Sequence, residues 1–340
     1  MLIKHPVWQA RIHRFRRNRL GFFSLIMFSL IFLACMGANL IANDKPILVN
    51  YQNHWYFPIV KSYPETTFGG VFETETNYQD PVVKDLINQH GYMIEPIIPF
   101  ADQTPSVSRD VPFPAPPNSE NWFGTDDQGR DVLARVLYGL RVSLLFGLAL
   151  TVAGSIIGIA VGAVQGYFGG WTDLVGQRLM EVWGGLPQLF MIIILVSLFS
   201  PSVFVLFGLM LLFGWMGLVG LVRAEFLRAR NFDYVRSAKA MGVSDAKIMF
   251  RHILPNAMSS SLSQLPFILT ANITALTTLD YLGYGLPAGS PSLGELISQG
   301  KDNLDSPWLA LAGFFSLTIV LSLLIFIGEA LRDAFDPRQS

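Results

Sequence analysis

Long apolar runs alternate with charged segments along this 340-residue chain. Residues 20–42 are apolar over a length that crosses a bilayer, for which about 20 residues suffice. Five further runs follow, at 142–164, 186–199, 203–222, 260–279 and 308–327. The pattern predicts an all-α membrane protein with six transmembrane helices. The third run is the least regular, because Arg178, Glu181 and Pro187 crowd its start, and part of it is expected at the membrane interface. Arg178 and Glu181, three apart, are expected to pair with each other or with headgroups.

Between the first two runs the apolar pattern stops. Residues 43–123 are rich in Pro, Tyr, Phe and acids, and PFPAPP at 112–117 is a stiff, extended run. Tyr51, Trp55, Tyr56, Phe57, Tyr63 and Phe68 could build a small core, so this segment is either a compact subdomain or an ordered loop over the bundle. Helical spacing resumes near Val132, Leu133, Val136, Leu137 and Leu140. Thr125 and Gln128 have capping-box spacing, and Arg130, Asp131, Arg135 and Arg141 can face water or headgroups. A short amphipathic helix on the outer membrane surface is expected here. Within the second run, Gly154, Gly158, Gly162 and Gly166 recur every four residues and share one helix face. Small residues at this spacing let two helix backbones approach closely. Packing and lining of a pathway are both compatible with it. Gly214, Gly217 and Gly220 suggest similar packing on the fourth run.

Composition agrees with the pattern: 51% of residues are hydrophobic and 14% charged, with a mean hydropathy of +0.41. Soluble domains carry about 25% charge. The net charge of -1 hides an asymmetry. Residues 1–19 hold six Lys/Arg and no acid, 43–139 six against thirteen Asp/Glu, and 223–256 seven against three. Basic short segments stay cytoplasmic, which places 1–19 inside. Alternation then puts 43–141 outside, 165–185 and 223–259 inside, 280–307 outside and the C-terminus inside. The resulting division is a basic N-terminus (1–19), helix 1 (20–42), an insertion on the outer side (43–141), a core of helices 2–6 (142–331) and a cytoplasmic tail (332–340). The first run is too long for a signal-peptide core and lacks a clear cleavage site, so it is read as an uncleaved span. Cys35, the one cysteine, is expected as a small apolar residue, buried or facing lipid.

The basic stretch 223–256, RAEFLRARNFDYVRSAKAMGVSDAKIMFRHILPN, is held at the membrane by a span on each side. Asn231 or Asp233 can cap a first helix reaching to about Met241. Gly242 suits the left-handed residue that ends it, Ser244 can cap a second helix, and Pro255 is expected to end that one. Tyr234, Ala238 and Met241 would share one face, Ile248 and His252 another. Such an apolar surface ringed by arginine fits docking onto a soluble protein. Tethering on both sides argues against a DNA-binding use of the helical pair, and no nucleic-acid partner is expected.

The chain has no phosphate-binding loop, since Glu295 occupies the first glycine position before Gly300-Lys301 and Asp302 follows the lysine. No zincin or nucleophile-elbow motif occurs, and His5, His13, His54, His90 and His252 are too scattered for a metal site. No catalytic, cofactor-binding or metal-binding residue is assigned. Asp280, at the end of the fifth run, either caps the following turn or offers a carboxylate to a cationic group on a substrate path.

Several segments carry a resemblance. YVRSAKAMG at 234–242 and ILPN at 253–256 resemble the cytoplasmic coupling ("EAA") loop of ABC importer permeases. Arg236 stands where the motif has Glu, Ser237 replaces its first alanine, and His252 stands where Ile is usual. GTDDQGRD (124–131), YGLRVS (138–143), YLGYG (281–285), PSLG (291–294), ALRD (330–333) and DPR (336–338) are similar to the oligopeptide and dipeptide permease branch. The acidic insertion is similar to that of the permease subunit of microcin C and peptide importers, and the resemblance makes it a periplasmic insertion. The resemblance implies a subunit of an ATP-driven importer of peptides or peptide-like compounds that is not itself an enzyme. It implies coupling to the ATPase through Tyr234, Arg236, Ala238, Met241, Gly242, Ile248, Leu254 and Pro255. Expected partners are a sister permease, two ATP-binding subunits carrying ATP and Mg, a periplasmic peptide-binding protein and the lipid bilayer. Two other readings are an ion-gradient-driven carrier and a membrane sensor. Carriers usually carry broken helices and midplane charges, both scarce here, and a sensor needs an output domain that neither terminus is expected to supply.

Overall fold

The computed structural model describes residues 6–106 and 112–335. The DPR segment at 336–338 and most of the expected tail 332–340 lie outside the described residues. Among the described residues, four helices are long and apolar enough to cross a membrane: Arg19–Met36, Val132–Phe168, Val203–Ala229 and Pro307–Phe335. Gly170–Gly184 and Gln188–Val196 pass the same test only as a pair, bent by 70° at the break between them. The break falls on Gly185, Leu186 and Pro187, and Pro187 lies immediately before the second helix of the pair. Leu265–Tyr281 is a further apolar helix of 17 residues. Arg178 and Glu181 form an ion pair and are both well exposed.

The separate surface helix expected before the second span does not exist. Val132–Phe168 is one helix of 37 residues, about 55 Å long at 1.5 Å per residue, against a hydrocarbon core of about 30 Å. Nor is Thr125 its cap. Asp131 Oδ1 accepts the Ala134 amide at 2.7 Å and takes that role, while the Thr125 hydroxyl accepts the Ala115 amide at 2.8 Å.

The structure divides into two compact units. One comprises residues 30–142 and 288–317. It contains a three-stranded antiparallel sheet, ordered β2-β1-β3, from Leu48–Tyr51 (β1), His54–Tyr56 (β2) and Gly91–Ile94 (β3). Asp80 caps the helix Pro81–His90 through the Val82 amide. That helix buries Val83 and Ile87 in a core with Val49, Tyr51, Phe68 and Tyr78. Residues 43–100 therefore hold a small packed subdomain. Of the six aromatic residues expected to form it, Tyr51 and Phe68 are buried, and Tyr56 and Tyr63 pack edge-on against Phe68. Trp55 and Phe57 are exposed.

The other unit comprises residues 1–29, 143–287 and 318–340. Its organising contact is between backbones. A Cβ on Gly158 would lie 2.4 Å from the Trp215 carbonyl oxygen, one on Gly162 2.7 Å from that of Val219, and one on Gly166 2.5 Å from that of Arg223. At Gly154 the nearest atom, the Gly214 carbonyl oxygen, is 3.5 Å away. The glycine face of Val132–Phe168 thus lies directly on the turn and helix at 214–223. Gly217 and Gly220 do not share this property: the nearest neighbour of a Cβ at Gly217 is Ile268 at 3.9 Å, and Gly220 has open space.

Gly158→Ala is expected to destabilise the purified protein by about 1–3 kcal/mol, because backbone cannot yield as a side chain can. Gly220→Ala should be neutral or slightly stabilising. Thermal unfolding in detergent checks both, and equal melting temperatures for the two variants would refute the close approach.

Candidate functional site

The segment 223–256 is built from helices as the sequence suggests, but its caps and faces differ. The first helix is Asp233–Ala240, with Phe232 at the cap position and Asp233 as the first helical residue. No side chain caps it; Asp233 in the first turn and Lys239 in the last instead complement the helix dipole. Gly242 has φ +76°. The Val243 amide donates to the Ala238 carbonyl at 3.1 Å and the Gly242 amide to Lys239 at 3.0 Å. This pair of bonds closes the helix as a Schellman turn, which needs a left-handed residue at that position.

Beyond Ser244, whose side chain makes no capping bond, the chain forms a short turn, Asp245–Lys247. A π-helical stretch follows, Ile248–Ile253, and then the helix Leu254–Leu262. Pro255 therefore does not end a helix. It sits in the first turn of the next one, where a missing N–H costs nothing. The wider π-turn before it takes up the strain that a proline ring imposes on the preceding turn.

Packing sorts these residues into anchors and surface. Val235, Ala238, Ile248, Met249 and Ile253 are buried in one core with Val222, Phe226 and Tyr167. Ala238 and Ile248, expected on docking faces, thus lie beneath the surface, and His252 is half-buried. Tyr234 and Met241 are exposed, joined by Phe232 and Phe250, with Met241 at 76% and Phe250 at 67% exposure. Leu254 is half-buried and Pro255 exposed. Arg236, Lys239, Lys247 and Arg251 are exposed around them, and no ion pair among the described residues engages these four. The sequence signal for the anchors was the three-residue spacing of Val235 and Ala238 and the four-residue spacing of Met249 and Ile253. Phe232 and Phe250 carried no periodic signal.

Polar contacts also fasten this segment to its own unit. Tyr167 Oη donates to Asp245 Oδ1 at 2.5 Å. Arg223 is held bidentately by Asp173, with Nη2 2.7 Å from Oδ2. Elsewhere in the same unit, Asp280 Oδ1 accepts the Leu286 amide at 2.7 Å. The carboxylate that was a candidate for a substrate path thus fastens the turn after its own helix, and any side chain at Gly285 would collide with it.

A second polar constellation, in the other unit, escaped sequence reasoning. Arg130, Asp131 and Arg135, expected to face water, are buried with Asp126. Asp126 Oδ2 accepts from Arg130 Nη2 at 2.6 Å and lies 3.5 Å from Arg135 Nε. Glu295 reaches Arg130 with Oε1 at 3.2 Å and Arg135 with Oε2 at 2.6 Å. Arg135 also donates to the Asp102 and Ser290 carbonyls, each at 3.1 Å. Two cations and two carboxylates compensate one another, which is what permits their burial. Asp131 stands beside them, with Asn121 Nδ2 donating to its Oδ2 at 2.9 Å. Burial raises the Asp131 carboxyl above its ordinary pKa, against the lowering effect of that hydrogen bond. Asp127 is raised by burial and by the neighbouring Asp126 charge. Among the described residues, no group of three His, Cys, Asp or Glu side chains is placed to hold a metal.

A basic helical segment fixed to one long glycine-faced helix, among several apolar helices, agrees with the permease resemblance of the sequence. Residues 154–340 match the family of binding-protein-dependent transport system inner membrane components, and the chain belongs to that family. Residues 7–58 match the N-terminal transmembrane domain of oligopeptide transport permease C. The chain is 55% identical over 335 residues to the inner membrane ABC transporter permease protein YejE of Escherichia coli, covering 98% of both chains. It is 50% identical to the peptidoglycan transport system permease protein YejE of Agrobacterium fabrum, covering 98% of this chain and 94% of that one. To the oligopeptide transport system permease protein OppC of Bacillus subtilis it is 34% identical, over 66% of this chain and 73% of the relative. The chain is therefore a peptide-type ABC permease subunit of the inner membrane, with several spans and no ATPase activity of its own. Family membership implies ATPase subunits and a substrate-binding protein.

Glu295→Gln leaves Arg135 facing Asp126 alone and is expected to cost about 3 kcal/mol or more. The joint replacement Arg135→Met with Glu295→Leu should recover much of that loss, because no uncompensated charge then stays buried. A double-mutant cycle built from the singles Arg135→Met and Glu295→Leu and their double variant, read by thermal unfolding, checks this; strictly additive effects would remove the cluster from the account.

Proposed function

We propose that this chain forms half of a translocation path for peptides and peptide-like compounds, microcin C-like conjugates among them, and that a sister permease supplies the other half. In this reading it crosses the membrane six times, with Leu265–Tyr281 and the bent pair as spans and both termini cytoplasmic. Two ATP-binding subunits lie on the cytoplasmic side and a periplasmic peptide-binding protein on the other. The basic charge of 1–19 and of 223–256 supports that orientation. The peptidoglycan named for the Agrobacterium relative points to peptide-bearing cell-wall fragments as a further class of cargo.

The observation that carries the proposal is the division of 223–256 into buried anchors and an exposed apolar rim with cationic neighbours. Val235, Ala238 and Ile248 hold the segment to the bundle. Tyr234, Met241, Phe232 and Phe250 stay outside, as anchors for a partner do. Arg236, where the related motif carries an acid, gives this face a cation, so its mate on the ATPase is acidic at that point. Gly242 sets the angle between the two arms, while Leu254 and Pro255 close the segment.

Met241→Asp and Phe250→Asp should each weaken capture of the ATPase subunits from co-expressing membranes by thirtyfold or so, the effect of losing one interface anchor. Uptake of peptide should fall in parallel, while the amount of permease in the membrane is unchanged. Gly242→Pro should abolish capture. Full capture by all three variants would overturn the docking surface.

A further inference from the structure

We propose that the membrane-boundary groove between the N-terminal helix and the end of the last span is a binding site for one anionic phospholipid of the surrounding bilayer. The N-terminal helix, Pro6–Arg17, carries Arg11, Arg14, Arg16 and Arg17 and no acid in its first turn. It meets Arg19–Met36 at Asn18, whose side chain accepts the Gly21 amide at 3.1 Å. Gly21 in turn lets the first span lie against the last: a Cβ there would fall 2.1 Å from that of Ala330. The two spans are thus locked together at this end, and the basic helix is brought over the terminal turns of Pro307–Phe335.

A cavity of about 390 Å³ opens between them, within the range of about 300–1,000 Å³ usual for small-ligand sites. Its wall is apolar, with Phe22, Leu25, Ile327 and Leu331 running along the two spans. Its rim is cationic, with Arg11 and Arg16 at the level where the spans end. Arg11 lies over the Phe335 ring, 4.6 Å from its centroid, so its guanidinium is set in place beside the groove. The carboxylates on this end of the last span are few. Glu329 is paired with Arg332 at 3.3 Å, and Asp333 is exposed.

An apolar channel parallel to two spans, opening onto two guanidinium groups at headgroup depth, has the chemistry of a phospholipid. Its acyl chain takes the wall and its phosphate the rim, and arginine offers the planar donor pair that phosphate oxygens accept. A zwitterionic lipid satisfies the wall but brings a cationic headgroup to a cationic rim. A free phosphate satisfies the rim alone. The site is therefore selective for a lipid with net negative charge.

The test is native mass spectrometry of the purified full chain, titrated with phosphatidylglycerol and phosphatidylcholine of identical acyl chains. Wild type should retain phosphatidylglycerol with a preference of about thirtyfold, as two surface arginines allow. Arg11→Gln with Arg16→Gln should bring that preference to near unity. Leu331→Trp, which fills the groove and keeps every charge, should lose the bound phosphatidylglycerol as well. Arg178→Gln, remote and exposed, should change neither. Equal retention of both lipids by wild type would overturn the proposal, as would an unchanged preference in the double arginine variant. Loss in the arginine variant with full retention in Leu331→Trp would reduce the site to general attraction by a basic helix, which also overturns it.

Discussion

The contact on which the unit of residues 1–29, 143–287 and 318–340 depends is backbone against backbone. Where Val132–Phe168 meets residues 214–223, four glycines remove every side chain from one stripe of the helix, and three of them leave less space than a methyl group needs. In a membrane, helices gain little from burying apolar surface against one another, because lipid is equally apolar. Close van der Waals contact and polar links must hold them. The glycine stripe supplies the first. At its lower end it hands over to the second: Arg223 is clamped by Asp173, and Tyr167 reaches Asp245. The segment at 233–253 is thus continuous, through packed groups, with the longest helix of the chain.

The unit of residues 30–142 and 288–317 solves a different problem. Its small sheet and the helix Pro81–His90 bury few apolar residues, and near Val132 it relies on ionised groups taken out of water. Such groups are costly unless each charge finds a partner of opposite sign and its remaining donors find acceptors. Arg135 does so almost completely, with Glu295, Asp126 and two carbonyls around it. Burial of this kind specifies one arrangement, since any slip strands a charge. Two of the segments that resemble the peptide-permease branch, GTDDQGRD and the stretch PSLG with Glu295 directly after it, are the two that meet in this cluster. The resemblance there is thus explained by mutual charge compensation and not by exposure at a membrane surface.

How far the sequence disclosed this follows from the range of each interaction. The four-residue glycine spacing was legible because a repeat in sequence is itself a face on a helix. The Schellman end at Gly242 was legible for the same reason, since its bonds span only a few residues. Arg130 and Arg135 were misread as solvated because Glu295, their partner, lies 165 and 160 residues away. Pro255 was misread as a stop because its tolerance comes from a π-turn that local propensity does not announce. Ala238 was placed outside because its small side chain carries almost no hydropathic signal. Only its burial in the same core as Phe226 shows that it points inward.

These ranges bear on how ATP hydrolysis elsewhere could act on this chain under the proposed function. A partner can shift the bundle only through groups whose contacts differ between two arrangements. A solvated loop would absorb a push at Met241 or Phe250 in its own torsions. Here Met241 ends one short helix and Phe250 lies in the π-helical stretch; the inner faces of both elements are core, and the turn between them is closed by hydrogen bonds. Displacement at the surface must then move Val235, Ala238 and Ile248 together, and with them Phe226 and Tyr167. The glycine stripe is too close to slide by small steps, because any lateral shift drives a carbonyl into the neighbouring backbone. The glycine face of Val132–Phe168 and the 214–223 stretch should therefore move as one body.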